Sequence, residues 1–259
     1  MTLYVCPGGC RSAVLAGALW ALAPLGIRAQ APAQPAPMPT LEEISRICGP
    51  RIPAGAGGLA ATIAQHRDEL NRGMYGPGDT VILDRGSQQG LRVGEQYLVR
   101  RAYPLDGIGS VYGRSGGGIH TAGWVQIVDL DPDFAIAKVI YACTEFQAGD
   151  RLEPYEPAQA LDPSAGTKPD FGDAARVLSG DEGRTVGGPV QDVVVDRGSA
   201  NGWRPGQRVT FFRRSFGATG PVSHVGEGYV TSVRPSSATV RIVHGRDAVY
   251  AGDLVAPWK

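Results

Sequence analysis

Residues 84–94 read DRGSQQGLRVG, and residues 196–206 read DRGSANGWRPG. Both stretches carry Asp-Arg-Gly-Ser, two variable residues, Gly, an apolar residue, Arg, one variable residue and a final Gly. A run rich in β-branched residues precedes each copy, and a second β-rich run follows it, which is typical of two strands joined by a turn. The repeat therefore predicts one structural unit that occurs twice.

The glycines of this phrase recur in register in both copies: Gly86, Gly90, Gly94, Gly198, Gly202 and Gly206. Glycine adopts positive φ at little cost, so these spacings predict tight structural turns. Leu91 and Trp203 occupy the single apolar position inside each turn. We expect each of them to plug the end of a barrel core.

The second halves of the two copies also match. Ala135, Ala137 and Val139 correspond to Ala238, Val240 and Ile242, while Lys138 and Arg241 correspond on the opposite face. Such alternation is typical of strands with one buried face. A Gly-Asp pair precedes the last strand of each copy, and the chain is rich in turn-forming residues, with 37 Gly and 20 Pro. The sequence predicts a mainly β fold: two tandem small β-barrels, SH3-like or similar, preceded by a short helical N-terminal segment.

The N-terminal residues have the pattern of an export signal. Arg11 precedes an apolar stretch, residues 12–26, and small residues follow it, so residues 1–29 are predicted to be a signal peptide cleaved after Ala29. An uncleaved anchor helix is disfavoured because the apolar stretch is shorter than the roughly 20 residues that a membrane span needs.

The predicted mature chain begins with a Pro/Ala-rich spacer, residues 30–39, which reaches about 30 Å if extended. A helical segment and the first barrel are expected over residues 40–155, a Pro-rich linker over 156–173, and the second barrel over 174–259. Within the helical segment, Thr40 and Glu43 form a capping box that opens a helix ending near Cys48. Residues 58–73 are predicted to form a second helix.

Cys6 and Cys10 leave with the signal peptide, so the mature chain keeps Cys48 and Cys143. An even number of cysteines in an exported protein favours a Cys48–Cys143 disulfide, with two buried free thiols as the alternative. The predicted location is the periplasm or another extracytoplasmic compartment.

The two repeats resemble the small β-domains at the C-terminus of flagellar assembly protein T and of some LysM-associated exported bacterial proteins. The shared pattern is Gly-Ser-x-x-Gly-apolar-x-x-Gly, here Gly86 to Gly94 and Gly198 to Gly206, with a later Gly-Asp before the last strand. The resemblance covers both repeats and leaves out residues 30–75. It implies an extracytoplasmic assembly or scaffold role without catalysis.

Few residues qualify as a functional site. Ser115 lies in a Gly-x-Ser-x-Gly sequence, but its flanks are a glycine-rich loop instead of the strand and helix of a nucleophile elbow, which favours a loop without catalysis. The acids of residues 129–133 lack the Gly and the distant Glu of a calcium loop, so we interpret them as a turn. Arg85 and Arg197 recur beside a turn glycine. They either hydrogen-bond or ion-pair within the turn or bind a partner.

Composition narrows the function classes. Basic and acidic residues balance at 25 each, which does not favour a nucleic-acid partner, and no membrane span is expected after signal cleavage. No catalytic, cofactor or metal residues are predicted. The leading hypothesis is a bacterial cell-envelope scaffold or adapter that binds other envelope proteins. The alternatives are a peptidoglycan-binding module and, behind it, a serine hydrolase that uses Ser115.

Export gives the first testable prediction. N-terminal sequencing of the mature protein should begin at or near Gln30, because residues 11–29 have the charge, apolar core and small residues that signal peptidase requires. Recovery of a chain that still begins at Met1, or that is integral to the membrane, would contradict export by a cleaved signal.

Overall fold

The computed structural model describes residues 39–53, 61–68, 73–105, 117–162, 166–217 and 220–259. The predicted signal peptide, the spacer up to residue 38 and the loop segment 106–116 with Ser115 lie outside the described residues. The first element is helix α1, Leu41–Ile47, and the Thr40–Glu43 capping box at its start is present as predicted.

Two closed barrels of six antiparallel strands follow α1, which confirms the predicted fold class. The strands of the first copy are β1 (Ala61–His66), β2 (Met74–Tyr75), β3 (Thr80–Leu83), β4 (Gln96–Pro104), β5 (Gly117–Leu130), β6 (Ala135–Ala142), β7 (Phe146–Gln147) and β8 (Arg151–Pro154). Around the first barrel the order is β1-β3-β6-β5-β4-β8, and β8 pairs with β1 to close it. The short strands β2 and β7 pair with each other in a separate two-stranded sheet.

The second copy has the same topology. Its strands are β9 (Ala175–Gly180), β10 (Val186–Gly187), β11 (Asp192–Val195), β12 (Arg208–Arg214), β13 (Val222–Arg234), β14 (Ser237–Gly245), β15 (Val249–Tyr250) and β16 (Leu254–Pro257). The barrel order is β9-β11-β14-β13-β12-β16, and β10 pairs with β15 as β2 pairs with β7. Every strand thus has a counterpart in the other copy.

The DRGS phrase forms a 3₁₀ turn that docks on the hairpin opposite it. A Cβ at Gly86 would collide with the carbonyl of Asp131, and one at Gly198 with that of Arg234, so only glycine fits either position. The turns end at Gly90 and Gly202, whose φ values of 91° and 78° are left-handed.

The barrel interiors hold one apolar cluster each, built from alternate residues of the strands. Leu91 belongs to the first cluster and Trp203 to the second, and both are buried, as expected for the apolar position of the turn. The repeated phrase therefore supplies both the chain reversal and one core residue to each barrel.

Each barrel carries an arginine–aspartate clamp in which the aspartate is buried and the guanidinium is partly buried. The Arg101 guanidinium donates to both carboxylate oxygens of Asp150 at 2.8 Å, and Arg213 donates to Asp253 at 2.7 and 2.9 Å. Each aspartate also accepts a backbone N–H from the preceding short strand. These are the aspartates of the repeated Gly-Asp pairs, so the clamp explains that motif.

A third apolar cluster covers the outer face of the first barrel. Ile44 and Ile47 of α1 pack on Leu98 and Trp124, and the Cys48–Cys143 disulfide fastens the end of α1 to the end of β6, as predicted. Disulfides persist in oxidising compartments, so the bridge indicates an extracytoplasmic environment. No helix in the described residues is long and apolar enough to cross a membrane.

The predicted helix over residues 58–73 is wrong, because Ala61–His66 is strand β1. Ala61, Ile63 and His66 are buried, and β1 pairs with β3 on one side and β8 on the other. Without this strand the first barrel would stay open, with unpaired backbone groups on two edges. Tertiary pairing therefore overrides the local helical preference of this segment.

The clamps give the second testable prediction. Asp150→Asn and Asp253→Asn should each lower the free energy of unfolding by about 2–3 kcal/mol, because each leaves a partly buried guanidinium without its counter-charge. Chemical denaturation under non-reducing conditions measures the effect. The exposed Asp133→Asn is the matched control, and equal effects at all three positions would contradict the role assigned to the clamps.

Candidate binding site between the two barrels

The segment that follows α1 lies between the two barrels and bonds to both; residues 48–52 are called the seam segment. Arg51 exchanges two backbone hydrogen bonds with Ile119 of β5, at 2.7 and 3.0 Å. The Thr239 hydroxyl of β14 donates to the Pro50 carbonyl at 2.6 Å. The seam segment thereby joins the first barrel to the second.

Direct contacts also connect the barrels. The buried His120 of β5 lies 2.9 Å, through Nδ1, from the carboxylate of Asp181, which follows β9. The linker residue Gln159 bonds through its side chain to the N–H and the carbonyl of Val233, at 2.8 and 3.1 Å. Residues 37–259 accordingly form one compact unit.

An open pocket of about 320 Å³ lies where the seam segment meets the second barrel, and we call it the seam pocket. Its lining comprises Ser45, Cys48, Gly49, Pro50, Gly180, Asp181, Arg184, Val186, Gly187, Val190, Gln191, Asp192 and Arg241.

One ion pair organises the seam pocket. Arg241 donates to both oxygens of Asp192 at 2.5 and 2.6 Å and to the Ser45 carbonyl at 3.0 Å. Burial raises the pKa of the Asp192 carboxyl above its usual value, and the bond from Arg241 opposes that rise. The pair thus fixes the end of α1 against β11 and β14 and presents a rigid polar wall to the pocket.

Val190 lines the same pocket in a conformation that its side chain disfavours. Its φ is 63°, in the left-handed region, and its side chain is 80% exposed. A β-branched residue at positive φ is a genuine outlier with a cost of about 1–3 kcal/mol. Burial of the side chain does not offset this free-energy cost, because the side chain is exposed to solvent at the pocket.

The first copy shows what this turn requires. Gly78 occupies the position equivalent to Val190, with a φ of 89°, and both turns have Gly-Pro before it and the same N–H to carbonyl bond across it. In a turn of this type, the residue that directly follows the proline has a positive φ, and for that reason it is usually glycine. The second copy therefore carries strain at this turn and has an isopropyl group at the seam pocket.

A smaller pocket of about 50 Å³ lies between α1, β4, the linker and β13, and we call it the arginine pocket. Arg46, Arg51, Arg100 and Arg234 line it, together with Glu156 and other residues. Burial, together with repulsion from Arg234, lowers the pKa of Arg51 to about 10. Burial also lowers the pKa of Arg100 well below its usual value, with added repulsion from Arg51 and Arg234.

The residues singled out from the sequence do not converge on a site. Arg85 is exposed and Arg197 half-buried, and neither side chain has a hydrogen bond or ion pair within the described residues, so partner binding by them stays a prediction. Ser115 lies outside the described residues. Within the described ranges, no group of three or more His, Cys, Asp or Glu side chains is placed to hold a metal ion.

Sequence reasoning missed the residues that matter at the seam, among them Arg100, Asp181 and Val190. They are distant in sequence and belong to no common motif. A signal for two of them was present in the repeat itself, because Val190 replaces the expected glycine and Arg100 aligns with Phe212 of the second copy.

A scan against protein-family models finds no family that matches this chain, and a search of curated proteins finds no match either. The resemblance to the β-domains of flagellar assembly protein T therefore stays a prediction.

The turn at Val190 gives the third testable prediction. Val190→Gly should raise the free energy of unfolding by about 0.5–1 kcal/mol, because relief of the left-handed valine outweighs the greater freedom of glycine in the unfolded chain. The reciprocal change Gly78→Val should lower it by about 1–2 kcal/mol, since no atom would obstruct the new Cβ and only φ opposes it. Denaturation midpoints measure both changes, and a destabilising Val190→Gly would show that the valine is structurally required.

Proposed function

We propose that the protein is an exported scaffold or adapter of the bacterial cell envelope, without catalytic activity, and that it binds another envelope protein at the seam pocket. The two barrels belong to one compact unit and act together in this role. The predicted signal peptide and the disulfide support the compartment, since both are typical of exported proteins.

The contacts of the ion pairs support a role without catalysis. Both repeated ion pairs, Arg101–Asp150 and Arg213–Asp253, lie where the barrels close, and each aspartate also accepts a backbone N–H, so these groups are engaged in holding the fold. The Asp192–Arg241 pair is likewise committed to holding α1. An adapter needs a shaped surface that is fixed in place, and these pairs supply it.

The exposed and strained Val190 is the observation that carries the proposal. Strain of this kind persists at functional positions when the surrounding structure enforces it. Val186 lines the same pocket and is also exposed, so two valines flank a polar wall formed by Asp192 and Arg241. An apolar rim beside a fixed ion pair suits a protein segment that buries one apolar side chain and makes polar contacts next to it.

The other two hypotheses make different demands. A peptidoglycan-binding module would sediment with purified sacculi, whereas an adapter bound only to protein would stay in solution. A serine hydrolase would depend on the hydroxyl of Ser115, whereas the adapter would not.

Site-specific photo-crosslinking gives the fourth testable prediction. A photoreactive residue in place of Val190 should yield one discrete crosslinked product in intact cells, because the partner covers that side chain. The same residue in place of Val93, which is also exposed but lies on the first barrel away from the seam pocket, should yield none. Val190→Gly should reduce crosslinking from a probe at Val186.

Further experiments distinguish the adapter from the peptidoglycan-binding module and the serine hydrolase. Equal crosslinking from Val190 and Val93 would contradict a partner at the seam pocket. Retention of the pure protein by sacculi would favour peptidoglycan binding, and a hydrolytic activity that disappears in Ser115→Ala would favour the enzyme.

A further inference from the structure

The two copies differ at one buried position that faces the arginine pocket. Strand pairing places Arg100 of β4 where Phe212 of β12 lies in the second barrel, since both follow the strand bulge and precede the clamp arginine. Phe212 is fully buried and packs edge-on against Phe171, with ring centroids 4.9 Å apart. Arg100 is 6% exposed. The barrel therefore accepts an apolar residue here, and the first copy buries a charge instead.

The charges around Arg100 do not balance. Four guanidinium groups line the pocket, those of Arg46, Arg51, Arg100 and Arg234. Three carboxylates lie near them: Glu153, which pairs with Arg51 and lies 3.6 Å from Arg100, Glu156, which lies 2.6 Å from Arg234, and Glu43, which interacts with Arg46. The pocket thus holds an excess of positive charge in a partly desolvated space, which is costly without a further anion.

The hydrogen-bond pattern points the same way. Arg100 donates through one terminal nitrogen to the Thr121 hydroxyl. The Nε atoms of Arg100 and Arg51 are buried and have no hydrogen-bond acceptor among the described residues. Buried donors of this kind are normally satisfied, and an unmade bond to a charged group costs more than one to a neutral group. Each of these two neighbouring guanidinium groups therefore has a buried Nε–H without an acceptor among the described residues.

The size of the pocket selects the ligand. A water molecule needs about 10–15 Å³ of such space, so the 50 Å³ of the arginine pocket accommodates about three to five atoms of that size. A carboxylate group has three heavy atoms and matches the planar guanidinium fork. A phosphate group has five and would fill the upper limit of this space, so a carboxylate is the better fit.

We infer that the arginine pocket is a binding site for a carboxylate, held between Arg100, Arg51 and Arg234. The carboxylate supplies the missing acceptors and the missing negative charge. It belongs either to a small free acid or to an acidic side chain or C-terminus of a bound polypeptide. The site lies on a different face of the seam segment from Val190 and does not depend on the adapter role.

NMR of the mature, disulfide-bonded protein tests this inference directly. Sodium acetate, titrated at constant ionic strength against sodium chloride, should shift the Nε–H resonance of Arg100 in a saturable way. It should also raise the midpoint of thermal unfolding by a few degrees at concentrations well above the dissociation constant. Phosphate at the same ionic strength should have the weaker effect of the two.

Three variants test whether the acetate effect requires the positive charge of Arg100, the shape of its guanidinium group, or neither. Arg100→Met should abolish the acetate effect, and Arg100→Lys should weaken it about tenfold or more, because an ammonium lacks the guanidinium fork. Arg92→Met removes an exposed arginine of the first barrel and should leave the effect intact. Because the Nε–H measurement uses the unsubstituted protein, it stands even if an Arg100 variant fails to fold.

A peptide arm identifies the source of the carboxylate. A short peptide that ends in a free carboxylate and binds more tightly than acetate would assign the site to a polypeptide, and equal affinities would assign it to a small acid. No saturable response to acetate, a response that persists in Arg100→Met, or a response to phosphate alone would each overturn the inference.

Discussion

Closure of each barrel depends on a buried carboxylate that accepts three hydrogen bonds. Asp150 precedes β8, the strand that must reach both β1 and β4, and its clamp to Arg101 fixes where that strand begins. Because a buried carboxylate without a partner costs several kcal/mol, the strand cannot slip in register without losing two charged bonds and a backbone bond at once. Asp253 does the same for β16. The clamp thus turns a set of short strands, weak on their own, into a closed barrel.

This constraint also makes the internal repeat informative. Where the two copies share a residue, as at the DRGS turn and the clamp, the barrel itself explains it. Where the two copies have different residues and one of these residues is destabilising, the requirements of the barrel do not explain that residue. Val190 in place of a left-handed glycine and Arg100 in place of a buried phenylalanine are two such departures, and both lie beside the seam segment. Each copy thereby serves as the structural control for the other.

The sequence predicted the elements that depend on local chemistry. Turn glycines, strand alternation and the capping box of α1 are set by neighbouring residues, and each is present in the structure. Strand β1 was missed because the reason that it is a strand, a gap between β3 and β8, is tertiary. The clamps were missed for a related reason: Arg101 and Asp150 stand 49 residues apart, and only barrel closure brings them together. The same holds for the seam, which unites α1, β4, the linker and β14.

The disulfide connects the compartment of the protein to the geometry of its two pockets. It closes a 95-residue separation and holds the C-terminal end of α1 on the first barrel, while Arg241 and Thr239 hold the same segment on the second. Ser45 and Gly49 line the seam pocket, and Arg46, Gly49 and Arg51 line the arginine pocket. A seven-residue helix is too short to keep its conformation alone, so its position rests on these attachments. Both candidate sites are therefore assembled on one short segment whose covalent anchor forms only where thiols are oxidised.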